Sequence, residues 1–121
     1  MTIGEAPAAD LNREISRAMV ALIKQYVGRG PTSARTYVHD DLVVCVFHDL
    51  MTQAERTLAN DEHQELVLEF RRTFQVALRD EAITEIQRLT GRKVTAFMSQ
   101  NHIDPDIAVE LFVLQPTPSP S

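Results

Sequence analysis

Four side chains of this 121-residue chain combine types that could do chemistry together: His48, Asp49, His102 and Asp104. Two imidazoles with two carboxylates are a donor set for zinc or another divalent metal. Arg29 and Arg35 add guanidinium groups, whose planar forks match a carboxylate or a phosphate. With Asn101 beside them, the same residues can instead hold a small anion or a partner. Each also has an ordinary use. His48 ends a strand in water, Asp49 caps the next segment, and Asp104-Pro105 is turn chemistry. No HxxxH, HExxH or paired CxxC spacing speaks for a metal. We therefore assign no metal ligand, no cofactor and no catalytic residue. Arg29, Arg35, His48, Asp49, Asn101, His102 and Asp104 stand as ligand- or partner-binding candidates.

Other reactive types are explained by packing. Cys45 lies within an apolar run and has no basic neighbour in sequence to activate it, so it reads as a small hydrophobe. Gly28-Arg29-Gly30-Pro31-Thr32 resembles a phosphate loop, but it follows a helix and leads into a strand, the reverse of what that site needs. Ser33 and Ser99 sit in no nucleophile elbow. Arg71, Arg72 and Arg79 read as a helix surface paired with nearby glutamates, and Phe70 and Phe74 as core at helical spacing.

The elements that must position these residues follow from periodicity. Asp10 is a candidate N-cap for a helix over Leu11–Val27, whose stripe is Leu11, Ile15, Met19, Leu22, Ile23 and Tyr26. Two short strands come next, Ala34–Val38 and Leu42–His48, with a turn at His39-Asp40-Asp41. The second is apolar on both faces and belongs in the middle of a sheet. Thr52-Gln53-Ala54-Glu55 is a capping box opening a short helix. A long helical pattern then runs from about Glu62 to Thr90, and Gly91 ends it. Lys93–Ser99 is a third strand, Gln100–Asp106 a polar connection, and Ile107–Leu114 a second apolar strand. Residues 1–10 form a flexible leader, 11–115 one domain, and 116–121 a disordered Pro/Ser tail.

The order α-β-β-α-β-β is a duplicated αββ pattern, and the fold class is α+β. Moving the last strand to the front gives the ferredoxin-like order. The second and fourth strands then become antiparallel neighbours in a four-stranded sheet with helices on one face. This arrangement brings Asn101, His102 and Asp104 towards His48 and Asp49, with Arg29 and Arg35 at the same edge. It also leaves an apolar sheet face uncovered. The long helix would span roughly 43 Å, against about 35 Å for a compact domain of this size. It must bend near Arg79-Asp80 or protrude and find a partner. Both features point to a homodimer.

A net charge of −5 excludes a broad, sequence-independent grip on nucleic acid. No apolar run approaches the roughly 20 residues of a membrane span, so direct membrane insertion is not expected. One cysteine precludes an internal disulfide, and the start is unlike a signal peptide, which together point to the cytoplasm.

Several runs resemble a known family. They are Gly28-Arg29-Gly30-Pro31-Thr32 with Ala34–Val38 and Asp40–Val44, then Thr90-Gly91-Arg92-Lys93-Val94 with Asn101-His102-Ile103-Asp104-Pro105-Asp106 through Glu110. Over residues 11 to 115 the chain is similar to the bacterial MpsC family, named for a sodium-translocating, membrane-potential-generating system. The resemblance implies a soluble, non-enzymatic accessory or regulatory protein of a complex for potential generation or inorganic carbon uptake. In that system one membrane subunit resembles proton-pumping subunits of respiratory complex I. Another subunit resembles a zinc carbonic anhydrase and carries the metal chemistry. No catalytic residue is carried over. A small-molecule or anion-sensing module is the alternative, and a metal-dependent enzyme using His48 and His102 is the third reading.

Overall fold

The computed structural model describes residues 5–117. Its elements are α1 (Glu5–Val27), β1 (Ser33–His39), β2 (Leu42–His48), α2 (Gln53–Asn60), α3 (Gln64–Thr90), β3 (Val94–His102) and β4 (Ile107–Leu114). The strands form one antiparallel sheet in the order β1-β2-β4-β3. With β4 moved to the front, this is the ferredoxin-like order that the two doubly apolar strands predict. β2 and β4 are indeed the central pair, meeting from Leu42 opposite Val113 to His48 opposite Ile107.

Helices cover one face. Val43, Cys45 and Phe47 of β2 and Ala108, Phe112 and Leu114 of β4 are buried there with Ile15, Met19, Leu22 and Ile23 of α1 and Leu78, Ala82 and Ile86 of α3. Residues one position away on each strand point to the other face. That face carries Tyr37, Val44, Val46, Met98, Val109, Leu111 and Val113, and none of them belongs to the buried core. Among the described residues no helix packs over it.

Three boundaries depart most from the sequence reading. α1 begins at Glu5, so Asp10 is inside the helix and bonds Arg13 one turn on rather than capping. Ala6, Ala8 and Ala9 favour helix, and Pro7 in the first turn loses no intrahelical bond. Residues 1–4 of the expected leader and 118–121 of the expected tail lie outside the described residues. The capping box is present, Thr52 accepting from the Glu55 N–H and Glu55 from that of Thr52. α3 starts two residues later than the pattern, after Glu62 at φ 65. β3 runs on through Gln100–His102, which looks like loop because an edge strand needs only one apolar face.

α3 is one continuous helix from Gln64 to Thr90, and its N-terminal half is not left bare. Its C-terminal half lies on the sheet through Leu78, Ala82 and Ile86. Its N-terminal half runs past it and packs against α2 in a second small core of Met51, Ala59 and Val67. Phe74 packs against the main core, but Phe70, expected inside, is 55% exposed.

Candidate functional site

The expected polar cluster forms in part. Gly28, at φ 89, ends α1 and turns the chain so that Arg29 points back at the β2–α2 connection. Its guanidinium donates to the carbonyl of Met51 at 2.5 Å and to that of Asp49 at 3.1 Å. The Asp49 carboxylate accepts from the Thr32 hydroxyl, and its N–H donates to the Asp106 carbonyl at 3.0 Å. Asp106 is the carboxylate that the sequence reading passed over. Its side chain is 9% exposed, accepts from the Met51 N–H at 2.8 Å and stands 3.5 Å from Arg56. Arg56 also reaches Asp49 at 4.0 Å. Three connections (α1–β1, β2–α2 and β3–β4) are thus tied at one corner. Beside it is a cleft of about 400 Å³, lined by Asp49, Arg56, Asn60, Gln64, Asp104 and Asp106.

The remaining candidates are dispersed. His48 and His102 lie on the open face in one row, on either side of Ile107. One strand separates them, which sets their backbones about 10 Å apart. His102 donates through Nδ1 to the Pro105 carbonyl at 2.8 Å, which fixes its tautomer if the ring is neutral. Asn101 alternates to the helix-covered face and is half-buried. Asp104 is exposed in the turn. Arg35, opposite Val46, is two rungs along the sheet from the corner. Among the described residues no group of three or more His, Cys, Asp or Glu could hold a metal ion.

The arrangement is a latch. Arg29 has both arms of its fork on backbone carbonyls, and Asp106 is engaged by a backbone N–H and paired with Arg56. Arg29→Ala removes two charge-assisted hydrogen bonds and leaves both carbonyls short of a donor. The expected cost is about 2 kcal/mol, read as a lower midpoint in urea with an unchanged slope. Arg29→Lys is expected to recover less than half, because one ammonium cannot span the two acceptors as the fork does.

Two buried polar groups escaped the sequence reading. Arg71 is not a surface residue: it donates from Nε to Glu55 Oε2 at 2.7 Å and from Nη2 to Oε1 at 3.1 Å, and both side chains are under a tenth exposed. The pairing spans 16 positions, so no helical spacing announces it. The second is Glu110, in a row across the covered face with Thr36, Cys45 and Ser99 at facing register positions. Ser16 and Thr36 share a hydrogen bond of 2.7 Å, and the Thr36 hydroxyl is 3.6 Å from Cys45 Sγ. Glu110 Oε2 and Ser99 Oγ are buried with no partner. Burial pushes the Glu110 carboxyl up to about 7. Burial likewise pushes the Cys45 thiol up to about 12, against the Thr36 hydrogen bond and helped by Glu110. Cys45 is therefore protonated and inert, as its apolar run predicts. The signal for Glu110 was its standing as the one charged residue in an otherwise apolar strand.

Fold and corner together define a two-layer α+β protein of two αββ units, with its polar corner engaged in holding loops. The chain belongs to the MpsC family, described as the Na+-translocating membrane potential-generating system, which matches residues 8–116. No curated protein and no solved structure matches it. No described helix is long and apolar enough to cross a membrane.

Proposed function

We propose that this protein is a non-enzymatic accessory component of a membrane-potential-generating assembly, working through protein contacts, and that it is a homodimer. Family membership supplies the system. The observation that carries the contact reading is the open sheet face, where Val44, Val46, Leu111 and Met98 form a continuous apolar surface with no helix over it among the described residues. Met98 and Tyr37 at its margins are each more than half exposed. An uncovered apolar face of this extent favours association, because covering it removes it from water at about 25 cal/mol per Å².

Leu111→Asp tests this, since Leu111 is central on the open face and outside the core. In light scattering after gel filtration the wild type is expected to run as a dimer. Leu111→Asp is expected to run as a monomer with an unchanged circular dichroism spectrum. A wild-type monomer at tens of micromolar would remove the dimer. The assembly is tested separately by crosslinked capture from native membranes. Recovery of the system's membrane subunits supports it, and their absence overturns it.

A further inference from the structure

We infer that the groove between α1 and the edge strand β1 receives an extended, acidic segment of a partner protein, which adds to the sheet as a fifth strand beside β1. β1 pairs with β2 alone, so its outer edge presents unpaired backbone donors and acceptors. Along that edge runs a groove of about 420 Å³, walled on one side by Asn12, Arg13, Ser16 and Arg17 of α1 and on the other by four consecutive strand residues, Ala34 to Tyr37. A groove between a helix and an unpaired strand edge is the geometry that takes a peptide by strand addition. Consecutive strand residues along its wall favour a chain over a compact ion.

The charge of the groove selects the chain. Arg13, Arg17 and Arg35 all line it, and no acidic residue does, in a protein whose net charge is −5. Arg13 is shared with Asp10. Five other arginines are engaged, Arg29 on carbonyls, Arg56 on Asp106, Arg71 on Glu55, Arg88 on Glu85 and Arg92 on Asp41, whereas among the described residues Arg72 and Arg79 on α3 are not. Arg17 and Arg35 have no carboxylate within 4.0 Å among the described residues. An acidic segment lying along this edge brings carboxylates to the guanidinium forks.

This deepens the reading of the chain as a contact protein but uses the outer edge of β1, which touches the open face only at its margin, through Arg35 and Tyr37. Its failure would leave the dimer and the membrane-subunit capture untouched. The test is fluorescence anisotropy of the full chain with a fluorescein-labelled peptide of about ten residues alternating glutamate with threonine, long enough to span the strand edge. A second peptide has lysine in place of glutamate. The acidic peptide is expected to bind saturably and to protect the amides of Ala34–Tyr37 from hydrogen exchange, and the lysine peptide is expected not to bind. Arg17→Glu with Arg35→Glu, both outside the core, should weaken binding at least tenfold, whereas Arg72→Glu on α3 should leave it within twofold. Failure of the acidic peptide to bind, equal binding of the lysine peptide, or undiminished binding by the double variant would each overturn the proposal. Complete displacement by inorganic phosphate without amide protection would also overturn it, in favour of a small-anion site.

Discussion

Glu110→Gln is expected to remove a loss of stability of about 3 kcal/mol that the wild-type protein undergoes between pH 4.5 and about 7. The carboxyl is 4% exposed, its Oε2 has no partner, and the titratable group facing it across the sheet is a thiol. Its proton is therefore retained in the folded protein until about pH 7, while the unfolded chain releases it near 4.5. Between those values the folded state binds more protons, so stability falls as pH rises. Below the window both states are protonated and the full stability is present; above it both are ionised and the loss is complete. Glutamine does not titrate. Urea unfolding at pH 5 and pH 8 measures the effect: the pH 8 deficit of the wild type should exceed that of the variant by about 3 kcal/mol. Equal deficits would mean that water reaches Glu110.

Breaking the Arg71–Glu55 pair has the other large effect. Glu55→Gln keeps the capping oxygen for the Thr52 N–H but removes the charge facing Arg71. A buried guanidinium is then left uncompensated, at a cost of about 3 kcal/mol or more. Arg71→Leu leaves the carboxylate uncompensated instead, and should cost a similar amount. The double variant Glu55→Gln/Arg71→Leu has neither charge. It should be more stable than the sum of the two losses predicts by at least about 2 kcal/mol, measured by urea unfolding of all four proteins. Strict additivity would mean that the two side chains do not meet in solution.

These two sites mark the limit of what the sequence discloses. Strand order was legible because Leu42–Phe47 and Ile107–Leu114 are apolar on both faces, and only central strands are covered twice. The capping box and the Gly28 stop were legible because both are local. The end of β3 was not, since an edge strand with a polar outer face looks like its own turn. Neither was the partner of Arg71, because helical spacing speaks only for neighbours three and four apart. The corner was half legible. The topology put Asp49 and Arg29 together. Whether Asp104 or Asp106 turned inward depended on the turn between β3 and β4, which residue types alone do not specify. His48 and His102 arrive on one face with a strand between them, because paired strands place alternate residues side by side but separate the outer rows.

The seam between β2 and β4 has a consequence for how the molecule assembles. Each hairpin, β1–β2 and β3–β4, joins residues adjacent along the chain and can close by itself. The seam joins residues 42–48 to residues 107–113, with α2 and the long helix α3 in the intervening loop. Contacts between such distant segments are reached only after the closure entropy of that loop has been met. Phe47 and Phe112, buried on adjacent sides of the seam, are therefore committed late. Until then each half carries an unpaired inner strand, the most apolar in the protein. The time before the seam closes is when this chain is most exposed to pairing with the wrong copy of itself.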